Sequence, residues 1–127
     1  METKIIFWLI FILINFIIAI ENRNERNNHI ATGNPEQVDH TAWAIAYCAA
    51  CGILGVYRWQ LGVSVLLLHA SVFPVMYNLL THAQGGAFAI SKTTTSKYDQ
   101  FLIKIGLEDA VLPNAVFFTA SLFLLWL

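Results

Sequence analysis

The sequence predicts an all-α fold: a polytopic membrane protein with four transmembrane helices and a short interfacial amphipathic helix before the last. Two observations carry this. The 127 residues are 57% hydrophobic and 12% charged, with mean hydropathy +0.62, whereas soluble domains are about 25% charged. The apolar residues are also gathered into four blocks, Ile5–Ile20, Thr41–Tyr57, Leu61–Leu80 and Ala110–Leu127. A soluble globule of this length could not bury all four. At about 1.5 Å per helical residue, 41–57 and 61–80 are each about long enough to cross a hydrocarbon core of about 30 Å, and 5–20 is a short span. The chain is one domain by length, and its net charge of −1 offers no basic footprint for nucleic acid.

Ile5–Ile20 opens the chain as a first membrane helix with Asn15 as its internal polar group. A secretory signal peptide is the alternative. Against it, Ile17-Ile18-Ala19-Ile20 places bulky residues where an A-x-A-like cleavage site needs small ones. Residues 21–40 follow as a polar connector rich in Asn, Glu and Arg, a composition that stays disordered unless a neighbour holds it. Within it, Asn34-Pro35 predicts a turn, and Asp39 or Thr41 can cap the next helix.

The second helix, 41–57, is dense in small residues. Ala44, Cys48, Cys51, Gly52 and Gly55 recur at helical spacing and predict a face on which neighbouring helices approach closely. Cys48-Ala49-Ala50-Cys51 matches C-x-x-C in form. Zinc or redox chemistry needs thiolates in a polar, electropositive setting, so an apolar helix favours packing. Tyr57, Arg58 and Trp59 then make an interfacial anchor at a hairpin tip, with Trp126 as a fourth anchor near the last residue.

The third helix, 61–80, carries His69, Pro74 and Asn78, and Pro74 is expected to kink it. Thr81-His82-Ala83-Gln84-Gly85-Gly86 breaks the pattern and begins a second connector, 81–109. Ser91–Lys97 is polar and loop-like, and its Thr93–Ser96 run reads as solvated loop rather than a phosphorylation target. Tyr98, Phe101, Leu102 and Ile105 then share one face of an amphipathic helix ended by Gly106. The fourth helix, 110–127, has Pro113 in its first turn and Glu108-Asp109 near its positive end. No polar tail follows Trp126-Leu127, so those residues are expected at the interface or against a partner. Four spans put Lys4 and Arg58 on one side, and Arg23, Arg26, Lys92, Lys97 and Lys104 on the other. The positive-inside rule assigns both long connectors to the matrix or cytoplasm.

His69 is the sharpest candidate for chemistry, because an ionisable group mid-helix is costly in lipid and often functional. A b-type haem needs two axial ligands at similar depth on different helices, but His29 falls in the connector and His40 and His82 at helix ends. Haem or quinone would therefore sit at a site shared with another subunit. The plainer alternative is His69 bonded to a neighbouring hydroxyl or carbonyl. Glu108 and Asp109 are adjacent and cannot share a proton, Gly85-Gly86 lacks the context of a phosphate loop, and no nucleophile triad or metal-ligand set is present.

From Gly52 onward, the order of features resembles the carboxyl-terminal half of the DoxX-like and Surf4-like membrane protein families. The residues that carry it are Gly52-Ile53-Leu54-Gly55-Val56-Tyr57-Arg58, Met76-Tyr77-Asn78-Leu79-Leu80-Thr81-His82 and Gln100-Phe101-Leu102-Ile103-Lys104. The resemblance covers about 75 residues. It implies a four-helix membrane layout, with association to quinone-linked oxidases for the DoxX-like proteins and export from the endoplasmic reticulum for the Surf4-like ones. This chain departs from the pattern in its first helix, which lacks a Gly-rich ending, and in its last, which lacks glycines.

Taken together, the residues point to a non-catalytic accessory subunit of a multi-subunit membrane complex. The partners would be other membrane subunits and lipids, most plausibly in the respiratory chain of the mitochondrial inner membrane, with the endoplasmic reticulum as the other location. One alternative is a redox membrane anchor that contributes His69 to a haem b or quinone pocket. A small cargo receptor or transporter is the other, although Asn15, His69 and Asn78 are few polar groups to line a pathway. No resident cofactor is expected beyond bound lipid.

Overall fold

The computed structural model describes residues 2–33, 41–90 and 97–127, and among them the chain is all-helical. Five helices follow in order: α1 Glu2–Ala31, α2 Thr41–Tyr57, α3 Trp59–Leu80, α4 Lys97–Lys104 and α5 Val111–Trp126. By length and composition, α1 and α3 are long and apolar enough to cross a membrane, while α2 and α5 are shorter apolar helices. The expected turn at Asn34-Pro35, the caps at Asp39 and Thr41, His40, and the Ser91–Ser96 run with Lys92 lie outside what is described.

The first helix does not stop at Ile20. It continues through the polar stretch to Ala31, and the expected connector 21–40 is helical over its first eleven residues. Extension of an existing helix adds one hydrogen bond per residue fixed, without a second nucleation cost. Local contacts assist: Asn22 Nδ2 donates to the Ile18 carbonyl, and Glu25 and His29 pair at 3.6 Å across one turn. Thr32 ends the helix by turning its hydroxyl onto the Asn28 and His29 carbonyls, and Gly33 follows in the left-handed region at φ +82°.

Helices α2 and α3 form the expected antiparallel hairpin, broken only at Arg58, whose backbone is extended at φ −148°, ψ 113°. The third helix begins at Trp59, two residues earlier than its apolar block, and runs unbroken through Pro74. It ends with His82 in the left-handed region (φ +50°), while the Ala83 amide reaches back to the Asn78 carbonyl.

α3 is the centre of the bundle, packed against α1, α2 and α5. Ser64, near the start of α3, meets Ser121, near the end of α5, so these two helices are antiparallel. Lys4 Nζ donates to the Leu125 carbonyl, which brings the first turn of α1 to the last turn of α5. Lys4 and the hairpin tip at Arg58 thus share one end of the bundle. Arg26 lies toward the other end, beside Tyr77, Asn78 and Thr81.

At that second end residues 81–90, after α3, are stitched back onto the helices. Asn78 Nδ2 donates to the carbonyls of Ala87 and Ala89, and the Ala110 amide donates to the carbonyl of Phe88 between them. Asn78 is therefore a loop clamp, and it also borders the cleft lined by Arg26, Tyr77 and Thr81. Asp109 accepts the Val111 amide at 3.1 Å, as its place before the positive end of α5 predicts. α4 forms as expected and Gly106 ends it at φ +86°, but of its apolar face only Leu102 is buried. Phe101 and Ile105 remain exposed, and Tyr98 packs its ring 6.3 Å from that of Phe117.

Candidate functional site

The interior of the bundle is polar at mid-depth, and the polar groups close on one another. Asn15 on α1 is fully buried and faces Tyr47 on α2 and His69 on α3. Its Nδ2 donates to the Phe11 carbonyl at 2.7 Å and to the Tyr47 hydroxyl at 3.1 Å. Its Oδ1 is then the acceptor for His69 Nδ1 at 2.6 Å, which places a proton on Nδ1. Tyr47 completes the chain of donors by giving its hydroxyl proton to the Val65 carbonyl at 2.8 Å. Three helices are tied by one directed circuit in which each polar side chain has its partner.

Aromatic rings enclose this circuit. The imidazole of His69 lies between Tyr47, with centroids 4.3 Å apart, and Phe73 at 5.0 Å. Phe11 meets Tyr47 edge-on at 5.4 Å, and Tyr77 continues the row 5.9 Å beyond Phe73. Residues 69, 73 and 77 follow at intervals of four on α3, so the row runs along one helix face toward Arg26.

A second polar cluster ties the end near the chain termini. Ser64 and Ser121 each donate to the other's backbone carbonyl at 2.8 Å, and Trp8 Nε1 donates to Ser121 Oγ at 2.8 Å. Small hydroxyl residues let α3 and α5 approach closely while their own polar groups stay satisfied. Replacing Ser121 by Ala removes one donor and strands the Trp8 indole. The expected loss is about 1–2 kcal/mol, read from thermal unfolding in detergent beside Trp8→Phe, which should be milder in the Ser121→Ala background.

The sequence-derived site residues divide. His69 is in the core circuit on the Asn15 side-chain carbonyl, the plainer of its two expected settings. Cys51 is buried and Gly55 half-buried against α3, so for these two the close neighbour is this chain's own helix rather than a foreign one. The contact is made possible by Gly62, which the sequence did not flag: a Cβ there would stand 2.6 Å from the Cys51 carbonyl oxygen and 2.7 Å from Gly55 Cα. Ala44, Cys48 and Gly52 face outward, and both thiols are free. Of the residues expected as anchors, Tyr57 is 81%, Trp59 60% and Trp126 72% exposed, and Arg58 is exposed between the first two.

For cofactor chemistry, His69 offers Nε2, with Nδ1 already oriented by a carbonyl as in many ligating histidines. Among the described residues, no group of three or more His, Cys, Asp and Glu side chains comes together. His29 and His82 lie in or just beyond the last turns of α1 and α3, away from His69. Tyr47, Asn114, Ser64 and Ser121 escaped the sequence analysis. Their only signal was a polar residue isolated inside an apolar helix, which says that a partner is needed but not which one.

Fold and site together define, among the described residues, an all-helical bundle whose Asn15, Tyr47 and His69 side chains bond to one another, with two helices long and apolar enough to cross a membrane. Comparison with protein-family models, with curated proteins and with solved structures gives no match.

Proposed function

We propose that this chain is a four-span integral membrane protein that serves as a non-catalytic accessory subunit, packing between the helices of a larger membrane assembly. The observation that carries this is the outward face of α2. Cys48 and Gly52 flank a cleft of about 320 Å³ floored by Cys51, Gly55 and Gly62 and edged by Trp59. Ala44 continues the small-residue face one turn away. In lipid no hydrophobic force drives helices together, so association depends on such notches, where backbones come close. The chain's mid-depth polar groups are meanwhile engaged with one another, which suits a scaffold. The respiratory chain of the mitochondrial inner membrane is the assembly we favour.

Gly52→Leu tests this. A Cβ at Gly52 has nothing within 4 Å, so the isolated chain should tolerate the change within about 0.5 kcal/mol. The expected result is a chain that inserts and folds but no longer migrates with its assembly on a native gel in mild detergent. A wild-type chain that purifies as a stable free monomer refutes the proposal.

A second reading draws on the Nδ1 bond of His69 to Asn15, the orientation used by metal-binding histidines: a redox anchor sharing haem b or quinone with a partner subunit. A visible spectrum of the native complex, with a b-type band lost in His69→Ala, would favour it over the scaffold. The absence of any such band removes the haem form.

A further inference from the structure

A cavity of about 470 Å³ lies between α3 and α5, separate from the His69 circuit and from the α2 cleft. Val72, Val75 and Met76 form one wall, and Ala115 and Phe118 the other. Phe88 closes the loop end, held there by the bond between its carbonyl and the Ala110 amide. Leu79, Val111 and Phe118 on its border are exposed, so the cavity opens sideways onto the outer surface of the bundle. Its volume is in the range of small-molecule sites.

One lining residue is out of keeping with the rest. Asn114 is only 4% exposed, and among the described residues its Nδ2 has no hydrogen-bond partner. A buried amide donor left unmet costs more than the bond it could make, and most such groups in native proteins are satisfied. The other polar residue of the lining, Ser71, is already occupied with the Leu68 carbonyl. The cavity therefore asks for an occupant that is apolar along its length and carries an acceptor oxygen near one end.

We propose that this cavity binds one acyl chain of a membrane glycerolipid, with the ester carbonyl accepting from Asn114 Nδ2. Depth supports the match. Asn114 is three residues into α5, about 5 Å below the helix start, where the ester carbonyls of a bilayer meet the hydrocarbon. Ser71 and Phe118 are farther in, so the tail runs toward mid-bundle between Val72, Val75 and Ala115. The rigid loop clamp of Asn78 keeps Phe88 over the headgroup end. The lipid then joins α3 to α5 on the loop side of the Ser64–Ser121 contact. A prenyl quinone, which also carries carbonyl acceptors on an apolar chain, is the competing occupant, and the two are told apart by which molecule is recovered with the chain.

The site rests on the spanning of the membrane proposed above, which resistance to carbonate extraction checks separately. For the site itself, the full chain is placed in phosphatidylcholine nanodiscs doped with a phosphatidylcholine bearing a diazirine on its acyl chain. After irradiation, labelled positions are mapped by mass spectrometry. Labels should concentrate on Val75, Met76 and Ala115, and saturate on competition with unlabelled lipid. Val75→Trp should abolish them, and Asn114→Leu should weaken lipid retention about fivefold, the effect of one neutral hydrogen bond. Circular dichroism confirms that each variant is folded, and the wild-type competition gives an answer that needs no variant. Labels spread evenly over outward residues such as Ile45 and Phe123, or simple dilution without saturation, overturn the site. Recovery of stoichiometric quinone in place of lipid overturns the acyl assignment.

Discussion

Gly62→Leu should separate α2 from α3 and produce the largest stability loss of any single substitution in the hairpin. Even the first carbon of a side chain at this position would meet the Cys51 carbonyl oxygen at 2.6 Å and the Gly55 backbone at 2.7–2.8 Å. All three obstacles are main-chain atoms, so no rotamer change relieves them. The helices would have to move apart and carry Tyr47 away from the Val65 carbonyl. Overpacking of this kind costs about 1–3 kcal/mol, and the full leucine side chain belongs at or above the upper end. Gly62→Ala should lie at the lower end, because its gain in helix propensity, about 0.5–1 kcal/mol, offsets part of the strain. Gly52→Ala is the control, since a Cβ there meets open space. Thermal unfolding of the three variants in one detergent should rank Gly62→Leu below Gly62→Ala, and both below Gly52→Ala. Equal melting temperatures for Gly62→Ala and Gly52→Ala would mean that the two backbones do not meet.

Breaking the mid-bundle circuit should have the next largest effect, with a signature that a mere packing defect lacks. Asn15→Leu leaves His69 Nδ1 without its acceptor and takes from the Tyr47 hydroxyl the donor it accepts from, and His69→Leu leaves Asn15 Oδ1 without its donor. An orphaned buried polar group costs about 1–3 kcal/mol, whereas interhelical hydrogen bonds in lipid average only about 0.6 kcal/mol net. The double variant removes both orphans from that pair, so it should be milder than the sum of the singles by about 0.5–1.7 kcal/mol. Additive losses would show that Asn15 and His69 do not interact in the folded protein. Tyr47→Phe belongs in the same series: it keeps the edge-on contact with Phe11 and the stack on His69 but deletes the hydroxyl relay. A loss near 1 kcal/mol is expected there.

The row of rings from Phe11 to Tyr77 gives these substitutions a spatial order. His69 is clasped between two rings and fixed at one nitrogen, so its orientation depends on α1, α2 and α3 together. A partner that engages Nε2 would meet an imidazole already oriented. If none does, the same geometry is a specificity device that sets the rotation of α1 against α3. The two uses differ in what His69→Phe would do. A purely structural role tolerates the ring with a stability loss near that of His69→Leu, whereas a ligand role loses its spectral band entirely.

Much of the architecture was open to inspection in the residue order. The bounds of α2 followed from an apolar block and a polar tip, because in lipid an apolar stretch of that length has one way to satisfy its backbone. The break at Arg58, the stop at Gly106 and the carboxylate before α5 were also local matters of charge, φ angle and exposed amide groups. The extent of α1 was not, since a polar sequence alone does not say whether a helix entering it will stop. Glu25–His29, Asn22–Ile18 and the Thr32-Gly33 cap decide that over distances of one turn. For the small residues of α2, the spacing identified a close-packing face without naming its partner.

Composition and pattern by themselves determined that this chain is helical, that two of its helices are long and apolar enough to cross a membrane, and that α2 and α3 turn back on one another. Only the tertiary structure decided which isolated polar residues meet: Asn15 with Tyr47 and His69, Ser64 with Ser121 and Trp8, and Asn114 Nδ2 with no acceptor among the described residues. The physical reason is range. Backbone satisfaction and hydrophobic burial act along a segment and can be read from its own residues, whereas a side-chain hydrogen bond across helices depends on the rotation and depth of two segments far apart in sequence.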